Sequence, residues 1–423
     1  MTAPTGGALD GIRLLDLSTQ PGQYAGRLLA DLGADTIKVE PPGGDAMRRV
    51  GPFEGDAVGP ESSLTWRYFN ANKRSVTCNL DLPGGQRLLR ELARDADVVL
   101  ESYGPGYMES RGVGFEALRA VRPDLVYVSI SGFGREGPHA GWQATELIAQ
   151  AASGVLTLSG DPAGAPQMLG ASQACITASL SAAQGALLAV FHKERTGEGQ
   201  LVEVSMQEAL SIAQETAMQQ WDFQRTSRER QGEIPTLPGL GTYATRDGYV
   251  YSMVGGPAGA SWSELVDWLI EEGAGGELVA GHEAAFRALN METAVQALRN
   301  PAKAAEFGAL MPVARETLAA FFATRTSREI YEEGQRRRLL IGMVSTPREL
   351  MESPQLRARD WRLPVGGDGA AADLPGPPYR LSATPATVRR AAPAIGEHNR
   401  EVWLEEVGIA PEEFEALAAE GAI

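Results

Sequence analysis

Apolar and polar positions alternate between two periods over the first half of the chain. Residues 12–17 (IRLLDL) form a short apolar run, and residues 23–33 place Leu28, Leu29 and Leu32 on one helical face before Gly33. ADTIKVE (34–40) then reads as a buried strand, which completes a β-α-β unit. The pattern recurs with helix over 84–95, strand over 98–101, helix over 115–121 and strand over 125–134. Strands alternating with short helices predict an α/β fold built on a large, doubly wound parallel sheet. No GxGxxG opens the first helix, so the sequence gives no support to a dinucleotide site.

Further on, 146–158 reads as a buried helix rich in small residues, 175–194 as a long helix stopped at Gly197, and 201–206 as a strand followed by helix to about 225. The character changes at 235–262, where short β segments lie between Gly-Pro turns, and 263–330 is mostly amphipathic helix. The expected division is a large α/β domain from 1–210 and 331–423, a linker at 211–230, and a smaller α+β domain at 231–330. Ser345 or Thr346 caps a helix start, 360–380 is rich in turns, and 397–420 reads as an acidic helix pair.

Composition narrows the function. A chain of 423 residues, 43% hydrophobic and 22% charged, has the make-up of a globular enzyme with a large core. A net charge of −16 argues against a nucleic-acid partner and against an anionic membrane surface. A small polyanion is still compatible, because it needs only a few local cations and backbone N–H groups. The two cysteines, Cys78 and Cys175, are far apart and no His-rich cluster accompanies them, so neither a disulfide framework nor a metal site is expected. The N-terminus has no signal-like apolar segment, and no apolar run approaches the ~18 residues that span a bilayer. A cytoplasmic location is the expectation.

Six stretches carry a family likeness. They are LLADLGADTIKVEPPGGD (28–45), NANKRSVTCNLDLPGG (70–85), the long segment 95–138, AQAASGVLTLSGDPAGAP (149–166), ERTGEGQLVEVSMQEA (194–209), and PGPPYRLSATPA (375–386) with PAIGEHNREV (393–402). In this order they resemble the family III CoA-transferases, the group of formyl-CoA and carnitine CoA-transferases and α-methylacyl-CoA racemase. The resemblance implies that the N- and C-terminal parts build one domain, that the middle builds a small one, and that two chains interlock as a dimer. It implies CoA and acyl-CoA as substrates, with no permanently bound cofactor. It also implies a chemistry in which an aspartate at a helix start attacks the thioester, forms a mixed anhydride, and lets CoA pass to a second carboxylic acid.

The sequence departs from the family at that aspartate, whose place is taken by Cys175. One reading makes Cys175 a small buried hydrophobe in a subunit without a nucleophile. Another makes it a thiolate, activated by the helix N-terminus, that forms a thioester-linked acyl-enzyme. Other positions differ too. The first turn is STQPGQYAG, where Gln20 or Gln23 offers an amide. The family Asn-Phe pair is Ser102-Tyr103, and a CoA-contacting arginine aligns with Ser110, while Arg111 beside it is turned about 100° away on a helix. Glu146 matches a glutamate that assists the aspartate in relatives, or is simply an acid at a helix start. Lys73 and Arg74 match a CoA-proximal turn, Lys38 is a candidate for a CoA phosphate, and Arg48 and Arg49 either share that task or coat a loop. His139, His192, His282 and His398 are read as structural, His398 within the GEH motif. Trp66, Tyr68, Trp142 and Trp221 are pocket-lining candidates that equally suit the core.

The resemblance therefore implies a subunit of a hetero-oligomeric CoA-transferase whose homologous partner chain carries the aspartate. The likeness extends to two-chain enzymes acting on succinyl-CoA and benzylsuccinate in anaerobic aromatic degradation. Two alternatives stand beside it: a self-sufficient homodimer that uses Cys175, and a non-catalytic acyl-CoA-binding protein. A racemase fits less well, because it needs a His–Asp acid/base pair at a motif where this chain has neither.

Overall fold

The computed structural model describes residues 6–55, 58–230, 232, 237–254, 261–365 and 373–423. The chain divides into two compact units. The first comprises residues up to Gly160, Ala165–Arg230 and Gln355–Ile423, and the second comprises Asp161–Gly164 and Gln231–Pro354.

Six parallel strands organise the first unit: β1 (Arg13–Asp16), β2 (Asp35–Glu40), β3 (Arg74–Thr77), β4 (Val98–Glu101), β5 (Val126–Ser131) and β6 (Leu201–Ser205). Their order is β3-β2-β1-β4-β5-β6, so the winding reverses between β1 and β4. The central strands are buried at nearly every position because both sheet faces are covered. Leu14, Val98, Leu100, Val126, Val128 and Ile130 point to one face, where they meet helix α1 (Gln20–Asp31). Leu15, Ile37, Val39, Val99 and Tyr127 point to the other. There they meet the C-terminal residues Val402, Trp403, Phe414 and Leu417.

Six short helices follow α1: α2 (Leu64–Asn70), α3 (Pro83–Leu92), α4 (Tyr107–Ser110), α5 (Phe115–Arg119), α6 (Glu146–Ala152) and α7 (Val155–Leu158). The long α8 (Gln173–Thr196) comes next, then α9 (Met206–Ser211) and α10 (Ala217–Gln224). Strand β3 and helix α2 were absent from the sequence pattern. The single helix expected over 146–158 is two, α6 and α7, because Gly154 at φ +84° breaks the run. Against the expected lack of a long apolar run, α8 is long and apolar enough to cross a bilayer by length and composition. Half of that window is buried. Its Ala174, Ala178, Ala182, Ala186 and Ala189 belong to the core shared with α1 and the sheet, and these small side chains permit close approach.

The second unit pairs β7 (Gly241–Ala244), β8 (Tyr249–Ser252) and β9 (Ile341–Met343) into an antiparallel sheet. With it go α11 (Trp262–Glu271), α12 (Gly276–Arg287), α13 (Met291–Arg299), α14 (Pro301–Phe322) and α15 (Ser327–Arg336). Trp262, Trp268, Phe286, Phe321 and Phe322 form its core. The expected return at residue 331 moves to Gln355, because β9 completes this sheet rather than the parallel one. Residues 211–230 group with the first unit and carry α10, so they are not a free linker. Thr346 caps the helix Pro347–Glu352 and accepts the Glu349 N–H at 3.3 Å. Parts of the expected β stretch (235–236 and 255–260) and of the turn-rich stretch (366–372) lie outside the described residues.

Candidate active site

A cleft of about 830 Å³ opens at the C-terminal ends of the parallel strands. This is where α/β sheets of this winding take their ligands. Thr19 and Gln20 enter it after β1, Asp45 after β2, Ser102 and Tyr103 after β4, and Ser131 at the end of β5. Glu146 of α6 and Cys175 in the first turn of α8 complete the floor.

The N-terminus of α8 is already occupied. Glu146 accepts the backbone N–H of Ala174 at 2.7 Å and that of Cys175 at 3.0 Å, one on each carboxylate oxygen. Gln150 donates to the same side chain at 2.7 Å. The start of a helix favours an anion, and the anion here is a side chain from α6 rather than residue 175. Cys175 is 4% exposed, and burial followed by the neighbouring Glu146 carboxylate pushes its thiol well above the ordinary cysteine range. Helix N-termini lower a thiol's pKa when nothing opposes them, but here burial and a like charge outweigh the helix. Both effects act against the thiolate reading of Cys175, which needs a lowered pKa. Cys78 is also buried, and burial pushes it up to about 12.

Three stacked side chains form one cleft wall. The Tyr103 and Tyr107 rings lie 4.2 Å apart, and the Arg111 guanidinium sits 3.6 Å above Tyr107. Helix α4 ends at Ser110, and Arg111 leaves it with φ −100°. Both side chains therefore line the cleft, contrary to the expectation that Arg111 turns away. Arg111 donates to Asp81 through Nε at 2.9 Å. Asp81 borders a smaller hollow of about 220 Å³ that shares Asp45, Tyr103 and Tyr107 with the main cleft. Arg111 is the one lysine or arginine among the described lining residues; it pairs with Asp81, and Asp45 and Glu146 line the same cleft. Ser102 lines the cleft and accepts the Thr19 N–H at 2.8 Å. Ser131 Oγ is buried without a hydrogen-bond partner among the described residues.

The other basic candidates are internal. Lys73 is fully buried and donates to Asp16 at 2.6 Å, to the Gln23 carbonyl at 2.8 Å and to Asn70 at 2.9 Å. Lys38 is buried between Asp45, 3.2 Å away, and the Ser18 carbonyl. Burial pushes the Asp16 carboxyl up, but Lys73 and Lys38 together hold it below its ordinary value. A Cβ on Gly26 would come within 2.3 Å of Asp16 Oδ2, so this cluster needs glycine there. Arg74 is spent on Asp35, Glu401 and Glu406. Arg48 pairs with Glu40 and lies 3.8 Å over the Trp66 ring. All four side chains are engaged in internal ion pairs. Arg49 is exposed and donates to the Gly43 carbonyl at 3.2 Å.

Of the two glutamines, Gln20 faces the cleft and donates to Ser172 at 2.8 Å, whereas Gln23 is buried and accepts from Asn70 at 3.0 Å. Trp142 lines the cleft with His139 stacked on it at 3.7 Å. Trp66 is core, Tyr68 stacks on Tyr24 at 5.8 Å, and Trp221 is outside the lining. His398 accepts the Ser75 N–H at 3.2 Å, which is structural. His192 is exposed, and His282 lies 3.8 Å from Glu277. Asp45, Asp81, Tyr107 and Ser131 were not singled out from the sequence. The one signal for Asp45 and Tyr107 was their place in the GGD and GPGY turns.

Known proteins match this arrangement along its whole length. Subunit BbsE of succinyl-CoA:(R)-benzylsuccinate CoA-transferase from Thauera aromatica is 33% identical over 417 residues, covering 97% of each chain. Succinyl-CoA–D-citramalate CoA-transferase of Chloroflexus aurantiacus is 30% identical over 420 residues, covering 98% of each. The crystal structure of a CAIB/BAIF family protein from Brucella suis superposes with a TM-score of 0.81 at 26% identity, over 95% of this chain and 100% of that one. Such enzymes take CoA thioesters as substrates. With residues 9–399 matching CoA-transferase family III, the cleft at the strand ends is that of a member of this family, to which the chain belongs.

Proposed function

We propose that this chain is the aspartate-lacking subunit of a heteromeric family III CoA-transferase. The enzyme moves CoA between succinyl-CoA and a second carboxylic acid, with benzylsuccinate the first candidate. The carrying observation is the start of α8, where Glu146 takes the two amides and, with burial, pushes the Cys175 thiol well above the ordinary cysteine range; the motif order supports reading residue 175 as the nucleophile's position. Neither group is set up to attack a thioester: the thiol lacks charge, and the carboxylate's lone pairs are engaged by three donors. The acidic surround of Arg111 supports the same reading, because CoA brings several negative charges of its own.

A homologous chain carrying the aspartate would complete the complex as an interlocked dimer in the cytosol, where acyl-CoA thioesters are exchanged. Support for a partner comes from α8, whose Leu188 and Phe191 are 64% and 60% exposed on one outer face. Large side chains left open in a row are typical of subunit interfaces. BbsE is itself named as a subunit.

The test is intact-mass measurement of the natively purified complex, then of each denatured chain after succinyl-CoA and hydroxylamine. A second family III chain that alone gains the hydroxamate mass supports the reading. A homo-oligomer with an acyl adduct on Cys175 after succinyl-CoA alone, lost as free hydroxamate when hydroxylamine is added, overturns it.

A further inference from the structure

The stacked wall of the cleft is fastened at both ends to one internal bridge. Glu101, the last residue of β4, is 1% exposed. Its Oε2 accepts the Tyr103 N–H at 2.7 Å, and its Oε1 lies 3.5 Å from Arg135 Nη1. The same Nη1 donates to Ser129 Oγ at 2.9 Å, while Nη2 donates to Glu109 in α4. One guanidinium thus joins the residue before the wall to the helical turn between Tyr107 and Arg111.

We infer that Glu101 is a positioning residue whose negative charge, acting on the Tyr103 amide directly and on Glu109 through Arg135, holds the Tyr103–Tyr107–Arg111 wall in its binding shape. Every element packed around it contributes to its balance. Ser129 and Tyr127 face it from β5, Arg135 from the loop after β5, Glu109 from α4, and Tyr103 from the chain just beyond it. Glu203 of β6 accepts the backbone N–H of Arg135 on the far side. The Tyr127 hydroxyl is buried without a hydrogen-bond partner among the described residues, so it does nothing to solvate the carboxylate.

Burial raises Glu101 to about 7, against the pull of Ser129, the Tyr103 amide and Arg135. The fastening charge is therefore present above that pH and withdrawn below it. The bridge lies within one chain, so the inference stands whether or not the chain has a catalytic partner.

The test is hydrogen exchange of the full chain, together with any subunit that co-purifies with it, across a pH series corrected for intrinsic rates. The readout is the peptide covering residues 102–111. In the wild type, protection there drops roughly tenfold between about pH 8 and about pH 6, while the α1 peptide stays constant. Glu101→Gln sits at the low-protection level at every pH. Arg135→Gln moves the wild-type transition to higher pH, because the cation that favours the ionised form is gone. Protection of 102–111 that ignores pH in the wild type, or the same pH profile in Glu101→Gln, overturns the inference. If Glu101→Gln does not fold, an unmoved transition in Arg135→Gln does so equally.

Discussion

Replacing Lys73 with methionine separates a ligand-binding lysine from a structural one. The side chain is 0% exposed, and its ammonium serves three acceptors within 2.9 Å. Methionine has a similar length, so little cavity forms, but it donates nothing. Asp16 would keep the Ser18 N–H at 2.9 Å and the field of Lys38, yet lose its nearest cation. Breaking a buried pair by removing one partner costs roughly 3–5 kcal/mol, and each neutral acceptor left bare adds about 1 kcal/mol. Relaxation around the smaller head offsets part of that, so a loss of roughly 4 kcal/mol is expected, or about 10 °C in Tm for a unit of this size.

The pH dependence has a definite sign. In the wild type Asp16 titrates below its ordinary 3.8, so its contribution to stability is present above that value and lost as pH falls through the folded value. Without Lys73 the carboxyl titrates higher, and the deficit of the variant shrinks on acidification. The assay is urea unfolding of wild type, Lys73→Met and the double variant Asp16→Leu/Lys73→Met, with CoA titrated into each. The double variant should recover part of the loss, since no bare charge remains. A stability change under about 1 kcal/mol together with weakened CoA affinity would refute the reasoning and return Lys73 to the ligand.

Other substitutions test separate parts of the site. Glu101 titrates near 7 folded against an ordinary 4.5, so the native state holds its proton longer and stability declines as pH rises across that interval. Glu101→Gln removes that decline, which amounts to up to about 3 kcal/mol in the wild type; a wild-type unfolding free energy from urea titrations that is the same at about pH 5 and about pH 8 would contradict this. Glu146→Ala uncaps the amides of Ala174 and Cys175 and should cost roughly 1–2 kcal/mol, with Glu146→Gln in between, both read from thermal unfolding. Gly26→Ala drives a methyl into Asp16 and Lys73 and should lose roughly 2–3 kcal/mol; a neutral result would mean the cluster has room. Native Cys175 should resist iodoacetamide at mildly alkaline pH and react once the chain is unfolded, because burial and Glu146 keep the thiol protonated.

The strands most easily read from the sequence are those buried on both faces. Val98–Glu101 and Val126–Ser131 are short segments rich in β-branched and aromatic side chains between turn residues, which marks them as strands rather than helix. Strand Arg74–Thr77 escaped notice because only Val76 in it is apolar. Its polarity is satisfied from far along the chain: Arg74 by Glu401 and Glu406, and the Thr77 N–H by Asn399 at 2.8 Å. A local pattern cannot show partners more than 300 residues away.

The same limit governs the site. Lysines are almost never buried, so Lys38 and Lys73 read as surface cations until Asp16 and Asp45 are seen beside them. The reading of Cys175 at the nucleophile's place rests on the order of the family motifs. What pushes its thiol up was not legible there, because Glu146 reaches the start of α8 from another helix. Tyr107 and Arg111 were obscured by treating 107–111 as ideal helix, where in fact the helix stops at Ser110.

Residues 402–422 lie against the parallel sheet, far in sequence from its strands, which sets a timetable for synthesis. Val402, Trp403 and Leu417 cover the apolar face made by Leu15, Val39 and Val99, and the Asn79 N–H donates to the Ala422 carbonyl at 2.8 Å. All six strands precede residue 206, yet one face of their sheet has no lid until residues 402–417 are made. At roughly 5–20 residues per second, that face waits on the order of ten to forty seconds while the second unit is made. Deleting residues 402–417 therefore amounts to leaving a nascent sheet open, and the penalty should appear first as chaperone retention and low yield, before any loss of turnover is measured.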